Sequence, residues 1–175
     1  MRLPSGCTLR SGLLVHTIGP YQGPLRRAVL HLKESNDLDL AQALGVRLGQ
    51  LVPRCQTVVG VPTSARRQRW RGYCAPQRLA QAVARLWNTP LLHDFRCLGD
   101  PAPRKALRGL AARRACQETI FEHAGPISGS VLLVDDVVTS GRTLSFARQA
   151  LLRAGAHRVE LACIASSLES GESRR

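Results

Sequence analysis

Apolar residues recur along this chain with two different spacings, and the two spacings alternate. Leucines at positions 40, 44, 48 and 51 follow the period of a helix with one buried face, so a helix is predicted over 37–51. The unbroken apolar run at 131–134 is instead typical of a strand buried on both faces, and residues 57–61 are likewise predicted as a buried strand. Further strands are predicted at 13–18, 91–98 and 157–165, and further helices from Pro24 and over 75–87, 107–116 and 143–154.

This alternation predicts an α/β protein, with one parallel sheet covered by helices on both faces and right-handed crossovers between strands. A length of 175 residues with 44% hydrophobic content is sufficient for a single domain with a Leu/Val/Ala core. We divide the chain into an N-terminal helical segment (1–56), an α/β core (57–165) and a Ser-, Glu- and Arg-rich tail (166–175) that we expect to be disordered.

The lengths of the apolar runs also indicate where in the cell the protein is expected. No apolar run approaches the roughly 20 residues of a membrane span. The run at 13–15 is too short for the core of a signal peptide. We therefore expect a cytoplasmic protein with no membrane partner.

Positive charge is concentrated in the middle of the chain. The net charge is +13, and between Arg54 and Arg114 there are 13 basic residues against only two acidic ones, Asp94 and Asp100. Such a segment attracts polyanions, whether a diphosphate or a nucleic-acid backbone, and binding to nucleic acid would weaken steeply with salt. The six cysteines form no C-x-x-C pair, so neither a zinc ribbon nor a compact disulfide framework is predicted.

The stretch VLLVDDVVTSGRT at 131–143 carries the clearest chemistry. Asp135 and Asp136 follow a buried strand, and ligands of open parallel sheets bind at the carboxyl ends of strands. The next residues supply hydroxyls and backbone N–H groups at the start of a helix, which suits a phosphate monoester. Carboxylates beside such a cradle are reasonable if they hold ribose hydroxyls or magnesium-bound waters. The predicted ligand is a phosphorylated sugar, with its phosphate on Thr139, Ser140, Gly141, Arg142 and Thr143.

An apolar strand that ends in two aspartates also occurs in nucleotide-binding ATPases and at the start of receiver domains. The ATPases require a G-x-x-x-x-G-K-[ST] loop, but neither lysine of this chain, Lys33 or Lys105, lies in one. A receiver domain would need several more strand and helix units after Asp136 than the chain provides. A structural strand with incidental acids is the remaining alternative.

Residues 135–143 resemble the phosphoribosyl pyrophosphate (PRPP) signature of type I phosphoribosyltransferases, two acidic residues followed by T-[TS]-G-x-T. Further blocks at 21–33, 61–73 and 104–121 resemble the ComF family, phosphoribosyltransferase-like proteins associated with DNA uptake in natural transformation. Cys74 and Ala75 stand where that family usually has Asn-Gln. Many relatives also carry an N-terminal zinc ribbon, of which this chain keeps only Cys7. The ribbon is either absent or lies upstream of Met1.

The resemblance implies a type I phosphoribosyltransferase fold that binds PRPP and Mg²⁺. It also implies a glycosyltransferase (pentosyltransferase) reaction, in which a nitrogen nucleophile displaces pyrophosphate. Asp135 and Asp136 would orient the ribose hydroxyls and hold the metal through water. Arg104 and Lys105, which follow a Pro-rich loop, are predicted to act on the departing pyrophosphate as catalytic groups, with exposed surface charges as the alternative interpretation. The pyrophosphate would bind at Thr63, Ser64, Ala65, Arg66, Arg67 and Arg71.

Two alternatives keep this fold without turnover. One is a module that binds single-stranded DNA or a competence or recombination protein such as a helicase, and the other is a PRPP-sensing regulator. Lys33 and His31, on an early helix, are interpreted as surface or core residues rather than catalytic ones. The acceptor base and the oligomeric state have no diagnostic motif.

Overall fold

A computed structural model describes residues 5–9, 11–63, 72–98 and 121–168 of the chain. The predicted helix at 107–116 lies outside these residues. The described elements are β1 (Ser5–Thr8), β2 (Leu14–Pro20), α1 (Gly23–Glu34), α2 (Leu38–Gly49), β3 (Thr57–Gly60), α3 (Ala75–Trp87), β4 (Phe95–Cys97), β5 (Phe121–His123), β6 (Ser130–Val138), α4 (Arg142–Arg153) and β7 (Arg158–Ser166).

Five strands of the described part of the chain form one sheet in the order β1-β2-β7-β6-β3. The pairs β2–β7, β7–β6 and β6–β3 are parallel, and only the edge strand β1 runs antiparallel to its neighbour. The predicted parallel α/β sheet is thereby confirmed. The chain before residue 57 contributes two helices and also two strands of this sheet. Of these strands, β2 pairs directly with β7, and β1 pairs with β2.

Alternate residues of β6 face two different hydrophobic cores. Val131 and Leu133 pack with Leu144 and Leu151 of α4 on one face of the sheet. On the other face, Leu132 and Val134 pack with side chains of α1, α2 and α3. A strand that is buried on both faces reads as a continuous apolar run, which is the pattern seen at 131–134. The prediction of helices on both faces is confirmed.

The predicted strand at 91–98 is only partly formed. Leu91 makes a single isolated bridge to Val58, and the regular strand β4 starts at Phe95. Instead of joining the main sheet, β4 pairs with β5 in a small antiparallel sheet. Phe95 stacks on Phe121 across this pair, with ring centroids 5.7 Å apart, so aromatic packing holds the two short strands together.

The approach of α3 to β3 sets the position of the loop that leaves β3. A Cβ atom added to Gly60 would lie 2.6 Å from the backbone of Pro76, so glycine is required for this close contact. The chain then passes through Val61 and Thr63 at the carboxyl end of β3. No helix in the described ranges is long and apolar enough to cross a membrane.

Candidate functional site

The two adjacent acids lie inside β6, at the level where the neighbouring strand β3 ends. The N–H of Val61 donates to the carbonyl of Val134 at 2.8 Å, beyond the last residue of β3. On its other side β6 stays paired with β7 as far as Val138. The strand therefore runs four residues past the predicted end at Val134. Among the described residues its pairing with β3 ends just before the acid pair. This is the carboxyl edge of the sheet, as predicted.

The loop after β6 forms a small pocket together with one of the acids. The pocket is bordered by Asp135 and by residues 137–144. Helix α4 begins at Arg142, and Gly141 is its N-cap. Since the first N–H groups of a helix have no acceptor within it and glycine has no side chain to supply one, the helix start can bind an anion. The structure brings together the predicted phosphate residues Thr139, Ser140, Gly141, Arg142 and Thr143 with Asp135.

Gly141 has two reasons to be glycine. Its φ of +70° lies in the left-handed region, which side chains rarely adopt. A Cβ atom at this position would also lie 2.4 Å from the methyl carbons of Leu9, a buried residue after β1. Leu9, which follows the edge strand, thus fills the space next to the loop predicted to bind phosphate, a contact that no local sequence pattern indicates.

The environment of Asp135 favours its protonated form. Burial, and then the charge of Asp136, raise the pKa of Asp135 to about 8. The N–H of Asp136 donates to Oδ1 of Asp135 at 2.8 Å, which opposes this shift. In the ligand-free site Asp135 therefore retains its proton at neutral pH. The repulsion between neighbouring carboxylates is relieved in this way.

Asp136 has a different partner, which the sequence interpretation missed. Its Oδ2 lies 3.0 Å from Nζ of Lys33, with the side chains 14% and 27% exposed respectively. Lys33 belongs to α1 and follows the buried Val29 by four residues, so it lies on the inward face of that helix. This spacing was the available signal. His31 lies elsewhere, on the exposed side, where Nε2 is 3.1 Å from Oδ2 of Asp37.

The second half of the predicted site is described only at its two ends. Thr63 follows β3, and its Oγ1 lies 3.3 Å from Sγ of Cys74. Tyr73, at the far end of the same loop, is buried and donates from its hydroxyl to the carbonyl of Leu32. The predicted pyrophosphate residues Ser64, Ala65, Arg66, Arg67 and Arg71, and the predicted catalytic residues Arg104 and Lys105, lie outside the described residues.

Comparison with known proteins places this geometry in a family. A model of the phosphoribosyl transferase domain matches residues 121–175, which include the acid pair and the predicted phosphate residues 139–143. The DNA utilization protein YhgH of Escherichia coli K12 is 31% identical over 166 residues, covering 87% of this chain and 71% of that protein. The chain belongs to the ComF-type family of phosphoribosyltransferase-fold proteins. YhgH of Salmonella typhi is similar to this chain as well, with 29% identity over 170 residues, covering 87% of this chain and 71% of that protein.

Solved structures agree on the fold of this family member. The glutamine phosphoribosylpyrophosphate amidotransferase of B. subtilis, solved with ADP and GMP, superposes with a TM-score of 0.52 at 20% identity. The match covers 70% of this chain and 25% of that enzyme. The predicted type I phosphoribosyltransferase fold is confirmed.

Proposed function

We propose that this protein binds PRPP together with Mg²⁺ and transfers the phosphoribosyl group to a nitrogen acceptor, with release of pyrophosphate. One observation carries the proposal, namely that Asp135 and the glycine-capped start of α4 border the same pocket at the carboxyl edge of the sheet. An anion cradle next to a carboxyl group suits a ligand with a phosphate on one side and hydroxyls on the other.

Each part of the ligand has a proposed position. The 5′-phosphate binds at Thr139, Ser140, Gly141, Arg142 and Thr143, where the helix start and hydroxyls offer donors. The ribose hydroxyls lie at Asp135 and Asp136. The diphosphate extends toward Thr63, which occupies the carboxyl end of the adjacent parallel strand, and toward the arginine-rich residues that follow it.

The residues of the site fit Mg²⁺ bound through water. Within the described ranges no group of three or more His, Cys, Asp or Glu side chains forms a metal cluster. Mg²⁺ commonly keeps several waters and binds through one or two carboxylates plus the phosphates of a substrate. Asp135 and Asp136 would supply those carboxylates, and the metal would neutralise charge on the departing diphosphate.

The protein's own part in the reaction is positioning and charge compensation. The phosphate loop would hold the ribose at its 5′ end while the acid pair orients the hydroxyls, so that C1 faces the acceptor. Displacement passes through an oxocarbenium-like state, in which negative charge builds on the pyrophosphate oxygens. Arg104 and Lys105 are proposed to stabilise that charge.

Calorimetry with PRPP and Mg²⁺ tests the binding step. The site variant is Asp135→Asn combined with Asp136→Asn, and the control is Asp39→Asn combined with Asp94→Asn, which removes two exposed carboxylates. We expect at least about a tenfold loss of PRPP affinity in the site variant, because hydrogen bonds to a charged group are stronger than those between neutral groups. The affinity of the control should change within about twofold. Wild-type affinity in the site variant would contradict the assignment.

Turnover is tested separately from binding. Protein is incubated with PRPP, Mg²⁺ and a panel of nitrogenous bases, and pyrophosphate is measured. Release above the no-protein background, abolished in the site variant, is the expected result. PRPP binding without release for any base would point instead to a PRPP-sensing regulator.

A second function, in DNA use during natural transformation, is favoured by two observations. The relatives YhgH are described as DNA utilization proteins, and most of the net charge of +13 falls between Arg54 and Arg114. Single-stranded DNA or a competence or recombination protein would be the partner. Filter binding of single-stranded DNA at about 50 mM salt tests the DNA part, because electrostatic binding is strong there and falls steeply as salt rises.

A further inference from the structure

Lys33 joins two distant parts of the chain at the acid pair. Its ammonium group lies 3.0 Å from the Asp136 carboxylate, and both side chains are largely removed from solvent. About a hundred residues separate the two in sequence, so only the folded chain brings them together. The signature acid and the lysine of α1 therefore form one unit at the edge of the sheet.

Helix α1 is fixed at both ends, which holds Lys33 in place. Before the helix, the N–H of Tyr21 donates to the carbonyl of Ser166 at the end of β7, at 2.7 Å. Near the end of the helix, the Tyr73 hydroxyl donates to the carbonyl of Leu32, the residue next to Lys33. The loop proposed to hold the diphosphate thus ends on the helix turn that carries Lys33.

We propose that Lys33 is a positioning residue of the PRPP site, which orients the Asp136 carboxylate and offsets its charge so that an anionic ligand can approach. This inference rests on the proposed function. PRPP carries several negative charges, and an unpaired carboxylate beside its ribose would repel it. With Lys33 in contact, the carboxylate is held in one orientation and its field is largely cancelled.

Calorimetry on the full chain, with PRPP and saturating Mg²⁺, measures the effect. Lys33→Met should weaken PRPP binding about tenfold, between the negligible effect of an exposed ion pair and the much larger one of a fully buried pair. Lys33→Arg should restore part of the affinity, because it keeps the charge. Arg27→Met removes one positive charge from an exposed position of the same helix and should change affinity less than about twofold.

A double-mutant cycle shows whether Lys33 acts through Asp136. In an Asp136→Asn background, Lys33→Met should weaken binding by less than about twofold, because the partner is already neutral. An equal loss in both backgrounds would mean that Lys33 acts independently of Asp136, and would overturn the proposal. If wild type and Lys33→Met bind PRPP equally, only the role of Lys33 fails. If wild type does not bind PRPP, the proposed function itself fails.

The ion pair can also be observed without ligand or a change at Lys33. The chain has only two lysines, so ¹⁵N-lysine labelling gives two side-chain signals, and Lys105→Arg assigns them. We expect the Lys33 ammonium signal to shift on Asp136→Asn and to stay in place on Asp94→Asn. An unchanged chemical shift of the Lys33 ammonium group on Asp136→Asn would overturn the proposal, even if Lys33→Met failed to fold.

Discussion

Replacement of Asp135 by Asn should stabilise the ligand-free protein at alkaline pH and leave its stability unchanged near pH 4. The pKa of this carboxyl is raised from 3.8 to about 8, first by burial and then by the charge of Asp136. Asn has nearly the same shape and still offers an oxygen to the N–H of Asp136, which donates to Asp135 Oδ1 at 2.8 Å. The substitution therefore removes the ionisation and little else.

The sign follows from proton binding in the two states. Between pH 3.8 and about 8 the unfolded chain loses the Asp135 proton while the folded chain keeps it, so stability falls as pH rises through this window. Each unit of pKa difference corresponds to about 1.4 kcal/mol, which sets an upper limit of about 6 kcal/mol. Because Asp135 keeps partial contact with solvent, which screens its interactions, we expect a gain of about 2 to 4 kcal/mol at about pH 9.

Urea unfolding between about pH 4 and about pH 9 measures this difference, provided that the slope of free energy against urea is the same in both proteins. The buffer contains a chelator, because a bound cation would favour the ionised carboxyl. Asp94→Asn removes an exposed carboxylate and serves as the control. A difference between wild type and Asp135→Asn that is equal at both ends of the pH range would show that the ionisation of Asp135 does not affect stability.

Three further substitutions test the supports of the site. Gly141→Ala forces a side chain onto a backbone with φ of +70° and against Leu9, so it should lower stability by about 1–3 kcal/mol and weaken PRPP binding in calorimetry. Gly60→Ala should cost at least about 2 kcal/mol in urea unfolding because its Cβ meets the backbone of α3, whereas Gly19→Ala, with ordinary contacts, should cost less. Tyr73→Phe leaves a buried carbonyl of α1 without its donor, and should cost about 1–2 kcal/mol.

The central strands of the sheet could be predicted from the sequence, whereas the end of β6 could not. The residues at 57–61 and the apolar run at 131–134 predicted β3 and β6, because burial on both faces leaves a strand largely apolar. The end of β6 was predicted too early, since the polar Asp135 and Asp136 resemble a loop. In the structure β7 continues as a partner to Val138, and an unequal length of the two neighbours has no local signature.

The candidate site, too, was only partly predictable from the sequence. Thr139 to Thr143 and the two acids lie within nine residues of sequence, 135–143, so their chemistry was visible in one short stretch. The supports of that stretch come from elsewhere, with Lys33 on α1 and Leu9 after β1. Each depends on a contact across more than a hundred residues, which neither hydrophobic spacing nor residue type specifies.

A crystal structure of the protein with PRPP and Mg²⁺ would show whether the acid pair and residues 139–143 form a PRPP site. We expect the 5′-phosphate within hydrogen-bond distance of the backbone N–H groups at 139–143, and the ribose hydroxyls at the Asp135 and Asp136 carboxylates. The diphosphate should extend toward Thr63. No ligand at residues 139–143, or PRPP bound elsewhere on the basic surface, would show that the site is assigned wrongly.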